Sequence, residues 1–393
     1  MTSRLWIVAA LALGPAVSNS FARFAYALVL PAMRSDLGLT WSQAGALNTA
    51  NAIGYIAGAV LCAWYGSRLG HGRLFSGGML VTALAIFGFG LTGEYGAQVA
   101  LRAVAGVSSA LVFISGVVLV SNVYPDKPEH SSTAMALYFS GAGLGMVLSG
   151  VGIPMLLGAL HDSAWHIAWT ATGALSLIFA VLAIQGAKRV AEPPAGARGV
   201  SWPVGDFRAS LVSSFLVGAG YIGYMTFAVA WMRGRGASTL DVTLTWGTLG
   251  VATIVAPLAW RVPRSRWRPE WNLAAASAVI GLGAAIPLFS ASLGWMLLSA
   301  LLMGGAMFTA PGSVTDLVKI SLPKAAWGSA VAVYTVVFAA GQAIGPLLSG
   351  WLGDHTRSIH AGLAVSVLLL MLASASAMWQ RPITATRQVV VAS

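Results

Sequence analysis

Two arginines stand inside otherwise apolar runs of this chain, Arg23 in "SNSFARFAYALVLPAM" and Arg102 in "ALRAVAGVSSALVF". A guanidinium in the middle of a bilayer costs about 2.5–3.5 kcal/mol on insertion scales, so it normally faces a partner or a cavity. Its planar fork matches carboxylate or phosphate. The eleven Asp and Glu residues fall in loops or at the ends of apolar runs. Asp316 is the debatable one, and Lys319, three residues on, is its expected partner. The six histidines also lie in loops or at helix ends. With no acid to neutralise them, Arg23 and Arg102 form a natural anion site. For Arg102 a structural role is an equal alternative, with bonds to Asn19, Asn48 or the carbonyls freed near Pro15. For Arg23 substrate contact is the favoured reading.

Other polar side chains recur at helical spacing around the arginines. Ala12, Ala16, Asn19, Arg23 and Tyr26 form one stripe of small and polar residues. Asn48, Asn51 and Tyr55 form a second; Tyr221 and Tyr224 lie on a third run, and Tyr334, Phe338 and Gln342 on a fourth. Amides and phenols can orient a substrate through neutral hydrogen bonds. Ordinary interhelical bonding, under ~1–2 kcal/mol each, explains every one of them as well. The thirteen methionines, Met303 and Met307 among them, have no Cys or His beside them and read as gap-fillers rather than soft-metal ligands. The lone cysteine, Cys62, excludes a disulfide framework and a multi-cysteine metal site. No nucleophile–base set appears, so an enzyme and a bound cofactor are not expected.

These residues must be positioned by membrane helices. The 393 residues are 57% hydrophobic and 8% charged, with a mean hydropathy of +0.79, against ~25% charged residues in soluble domains. Runs of about 20 apolar residues suit ~30 Å of hydrocarbon. They predict spans at about 5–33, 41–65, 74–93, 96–123, 132–158, 165–186, 209–232, 240–260, 271–290, 293–314, 327–352 and 360–379. The expected organisation is an all-α integral membrane protein: a six-helix bundle over 1–186, a linker over 187–208, and a second bundle with a short tail over 209–393. Residues up to Ala22 could form a cleaved leader ending in "SNSFA", but the apolar run resumes after Arg23, so an uncleaved first helix is expected.

On one side of the membrane the loops carry only Arg34, Arg233, Arg235 and Arg357. Apart from Arg23 and Arg102, the rest of the 22 Lys and Arg residues fall on the side of the termini. The positive-inside rule therefore puts both termini in the cytoplasm, and the net charge of +11 reflects topology rather than nucleic-acid binding. "GAGLGMVLSG" and "GQAIGPLLSG" align at an offset of 200 residues, pairing Gly141 with Gly341, Gly145 with Gly345 and Gly150 with Gly350. Duplicated halves of this kind are a signature of secondary transporters, with the site between them. These glycines and Pro346 are expected at close-packing and bending positions.

The twelve spans, the linker and the repeat resemble the major facilitator superfamily. "GSRLGHGR" looks like its inner-loop motif, matched by Arg68, Gly70 and Arg73, with Ala63 and Ser67 where the usual glycine and aspartate stand. Arg102 and Gly106 match its Arg-x-x-x-Gly motif. More narrowly, Arg23, Phe24 and Tyr26, then Leu30, Pro31 and Met33, then Asn51, Gly54 and Tyr55 resemble the start of the YbfB/YjiJ-type family. The resemblance implies a central cavity lined by the first and fourth helices, where both guanidiniums could face one site. It implies a monomeric transporter in a bacterial inner membrane that moves a small solute by alternating access with no cofactor, and the unpaired arginines, not the resemblance, point to an organic anion. A co-transported proton or a counter-anion would couple transport. Proton-driven efflux of hydrophobic or cationic drugs is the alternative, and a non-transporting receptor a third.

Overall fold

The computed structural model describes residues 2–192 and 201–382. The linker stretch 193–200 with Arg198 and the tail 383–393 with Arg387 lie outside the described residues. The described residues contain twelve helices long and apolar enough to cross a membrane. They are α1 (Arg4–Leu37), α2 (Trp41–Gly66), α3 (His71–Phe89), α4 (Tyr95–Ser121), α5 (Thr133–Leu160), α6 (Asp162–Ala187), α7 (Val204–Gly234), α8 (Thr239–Arg266), α9 (Pro269–Phe289), α10 (Leu293–Ser321), α11 (Lys324–Thr356) and α12 (Ile359–Met378). With an even number of spans, both ends of the bundle meet one face, here called the terminal face. The opposite one is the distal face.

Several helices outrun their apolar cores, because polar caps carry them into the interfacial layer. α1 continues through Arg34 to Leu37 and stops at Gly38, whose φ of 63° is a left-handed cap. α2 starts at a capping box between Thr40 and Gln43, and α8 at one between Ser238 and Asp241. Glu94 caps α4, and the N–H groups of Ala97 and Gly96 hold its carboxyl below the usual carboxylate range. α10 extends past its expected end to Ser321 after a break at Met307 and Phe308. That extension places Asp316 against Arg264, at 2.9 and 2.7 Å, and not against Lys319 as the local spacing suggested. Lys319 lies instead over the ring of Trp327. Proximity in sequence lost here to a planar two-nitrogen fork from the neighbouring helix.

The two halves pack alike. In the first, α2 packs on α4, α3 on α6 and α1 on α5; in the second, α8 packs on α10, α9 on α12 and α7 on α11. The halves meet through α2 with α11 and α5 with α8. The repeated glycines sit at equivalent contacts. A Cβ on Gly141 would strike the Ala12 carbonyl of α1, and one on Gly341 the Phe215 carbonyl of α7. Gly145 and Gly345 repeat this one turn later, against Ala16 with Ser20 and against Ala219. Gly150 faces Trp246 of α8, and Gly350 the Trp41 carbonyl of α2, so this third pair serves the seam between bundles. Close backbone approach is how membrane helices associate where no hydrophobic drive exists between them.

Candidate substrate site

The site begins with Pro15. Lacking an N–H, proline interrupts the helical ladder, and Ala16–Phe24 follow as a π-helix, with Ala25 N–H donating to the Ser20 carbonyl five residues back. Wide turns of this type concentrate at functional positions. The extra residue per turn rephases the stripe expected from ordinary α spacing. Asn19 and Arg23 lie on this wide segment and are buried. Arg23 is directed to α2 and α11, whereas Tyr26 donates to the Ala44 carbonyl at 2.8 Å.

Arg23 is 6% exposed. Its Nε donates to Asn51 Oδ1 at 3.3 Å and its Nη1 to Gln342 Oε1 at 2.9 Å. The Tyr55 ring lies 5.0 Å from its Cζ. Its Nη2 is buried with no hydrogen-bond partner. Gln342 Nε2 donates to Tyr221 Oη at 2.6 Å, and the Tyr221 ring stacks on Phe338 at 5.7 Å and 13°. One guanidinium from the first bundle thus meets an amide and a phenol from the second.

Arg102 is arranged differently. Its Nε donates to the Leu47 carbonyl at 3.2 Å, its Nη1 to the Ala22 carbonyl, and its Nη2 to Asn48 Oδ1 at 2.7 Å. The Tyr26 ring lies 4.7 Å from its Cζ. Each nitrogen has a partner, so Arg102 ties α4 to α1 and α2. Asn48 completes that tie by donating to Thr226 Oγ1 of α7 at 2.6 Å. Asn51 joins the two arginines, its Nδ2 donating to the Arg102 carbonyl at 3.2 Å. Among the described residues no carboxylate pairs with Arg23 or Arg102; the ion pairs formed elsewhere include Arg4–Asp126, Arg264–Asp316 and Arg268–Glu270.

The structure therefore gathers Arg23, Asn51, Tyr55, Tyr221 and Gln342. Tyr224 bonds instead with Ser299 at 3.0 Å, inside the second bundle. Tyr334 bonds with Ser210, ~12 Å along α11 from Gln342. Two threonines that the sequence did not single out bridge the bundles: Thr226, and Thr49, whose hydroxyl donates to the Ala343 carbonyl at 2.6 Å. A single threonine in an apolar span has no pattern by which to find it.

Hydrogen bonds join the bundles at mid-membrane and toward the distal face. Nearest that face, Asp354 at the end of α11 accepts from the Trp41 and Ser42 N–H groups at the start of α2, both at 2.8 Å. Arg34 lies over the Trp41 ring, 3.7 Å from its centroid. These contacts tie α2 to α11 and α1 to α2 near the distal face. At the terminal face, Gly70 precedes α3 at a φ of 85°. The next two N–H groups, of His71 and Gly72, donate to Glu192 from the linker at 2.9 and 2.6 Å. Arg68 and Arg73 are exposed beside it.

The model of a family described as "Uncharacterised MFS-type transporter YbfB" matches residues 15–378. An uncharacterised MFS-type transporter of Yersinia pestis (strain Pestoides F) is 25% identical over 46% of this chain and 47% of its own length, so the match spans about half of that relative. The YttB transporter of Bacillus subtilis (strain 168) is 21% identical over 96% of each chain. The crystal structure of a D-xylose-proton symporter superposes with a TM-score of 0.76 at 14% identity, covering 96% of this chain and 98% of that one. Matched along nearly all of its membrane-spanning length, the chain belongs to the YbfB-type family of major facilitator superfamily transporters.

Proposed function

We propose that this transporter moves a small organic anion, and that Arg23 holds the anionic group at mid-membrane between the bundles. The observation that carries this reading is the buried Arg23 guanidinium, with neutral partners on two nitrogens and no partner on Nη2. A charge so placed is costly unless something compensates it, and a carboxylate both neutralises it and accepts from the free edge. Asn51, Tyr55 and Tyr221 supply neutral contacts around the anion. The basic loops of the terminal face support placing that face in the cytoplasm of a bacterial inner membrane. Rocking of the bundles about α2–α11 and α5–α8 would expose the site alternately. With no acid beside Arg23, a proton would travel with the substrate, or a second anion would return.

Reconstituted protein should show carboxylate-dependent flux of labelled organic anions. Arg23→Gln should abolish it, and Arg23→Lys, which keeps the charge but not the fork, should reduce it at least tenfold, about 1.4 kcal/mol. Unchanged flux of every anion in Arg23→Gln would end this reading. Broad resistance of an overexpressing strain to lipophilic cations would favour drug efflux instead.

A further inference from the structure

Gln342 occupies an unusual position for a neutral residue. Its amide oxygen accepts from Arg23 Nη1 at 2.9 Å, while its amide nitrogen donates to Tyr221 Oη at 2.6 Å. The side chain is 2% exposed, and the Tyr221–Phe338 stack fixes its far end. The oxygen lies where one oxygen of a carboxylate on Arg23 would lie, and the adjacent Nη2 is unpartnered. Arg102 is engaged elsewhere, each of its three nitrogens already donating to a carbonyl or to Asn48.

We infer that the Gln342 amide oxygen is a placeholder in the anion seat of Arg23, and that the substrate is a singly charged carboxylate that displaces it. This rests on the anion-transport reading above and narrows it. One guanidinium with two usable N–H directions matches one carboxylate. A phosphate dianion or a dicarboxylate would bring a second charge to a site whose remaining groups are neutral amides and phenols. Displacement has a second effect. The Arg23–Gln342 bond joins α1 of the first bundle to α11 of the second, so an arriving carboxylate cuts a direct tie between them. Substrate binding and release of the bundles become the same event. An empty protein retains the tie, which favours exchange of one anion for another over return of the empty carrier.

The placeholder can be tested without knowing the substrate, by building the carboxylate into the chain. In purified full-length protein, Gln342→Glu should pair with Arg23 and raise the Tm by about 2–4 °C. The gain should vanish when Arg23→Gln is added. No gain, or a gain that survives loss of Arg23, overturns the inference. Gln342→Leu covers the case in which the glutamate variant fails to fold. It frees Nη1, so acetate and benzoate, tested at matched ionic strength, should stabilise it at roughly tenfold lower concentration than wild type. An equal response in Gln342→Leu and wild type overturns the placeholder and leaves anion transport standing. A Gln342→Glu gain that depends on Arg23, in a wild type that no carboxylate stabilises or crosses, supports the seat and removes the transport reading. Stabilisation by succinate or phosphate exceeding that by acetate and benzoate overturns the single charge.

Discussion

Arg23 and Arg102 share a residue type, a depth and a neighbourhood, yet their partners divide them. Two of the three acceptors on Arg102 are main-chain carbonyls, which cannot rotate away as a side chain can, so that tie is the more durable. Arg23 has side-chain amides, which can rotate away, and one open edge. The expected consequence is a separation of phenotypes. Arg102→Lys should leave at least one of the Leu47 carbonyl, the Ala22 carbonyl and the Asn48 amide buried without a donor, at ~1–3 kcal/mol per unpaired group. Thermal unfolding should show a lowered Tm, while stabilisation by benzoate should persist in the protein that still folds. The reverse pattern, a normal Tm with lost benzoate response, would place Arg102 in the site. The sequence marked both arginines as unusual, but it held no information on which carbonyls would reach them. That depends on where α1 and α2 cross α4.

At the scale of elements, the helices are positioned by glycines at close crossings and by the wide turn after Pro15. Gly106 of α4 sits on the Asn51 carbonyl and the Tyr55 N–H of α2, and Gly54 of α2 on the Ala103 carbonyl of α4. A methyl group there has backbone to displace rather than a flexible side chain. Gly106→Ala should therefore cost about 1–3 kcal/mol and shift Asn51 and Tyr55, weakening benzoate binding. Gly152 of α5 has open space where its Cβ would be, so Gly152→Ala should be neutral or stabilise by about 0.5–1 kcal/mol. Comparing the two Tm values checks whether the crossing, and not helix propensity, sets the cost. The sequence showed the glycine repeat and its periodicity. It did not show the π-helix, because Pro15 predicts an interruption without predicting how the chain absorbs it.

For the whole molecule, the conformation depends on contacts between halves that are far apart in sequence. Asp354 lies more than 300 residues from the α2 terminus that it caps, and it reads locally as one more acid at a span end. Charge-assisted bonds to backbone N–H groups contribute about 1.5–3 kcal/mol, so removing them should shift the balance of distal-closed and distal-open forms by tenfold or more. Spin labels at Gly93→Cys and Arg235→Cys, both on exposed distal loops, placed in a Cys62→Ala background, should report longer and broader distances once Asp354→Ala is added. Unchanged distances would show that the glycine seams alone hold that face. The twelve membrane helices and the duplicated halves follow from the sequence itself, because hydrocarbon thickness and backbone hydrogen bonding leave a long apolar run little choice but a helix. Which guanidinium keeps an unpartnered nitrogen, which amide faces it and which residues join the two halves were decided only by tertiary structure. Those depend on crossings and on partners from the other half, and local spacing along one chain carries no record of either.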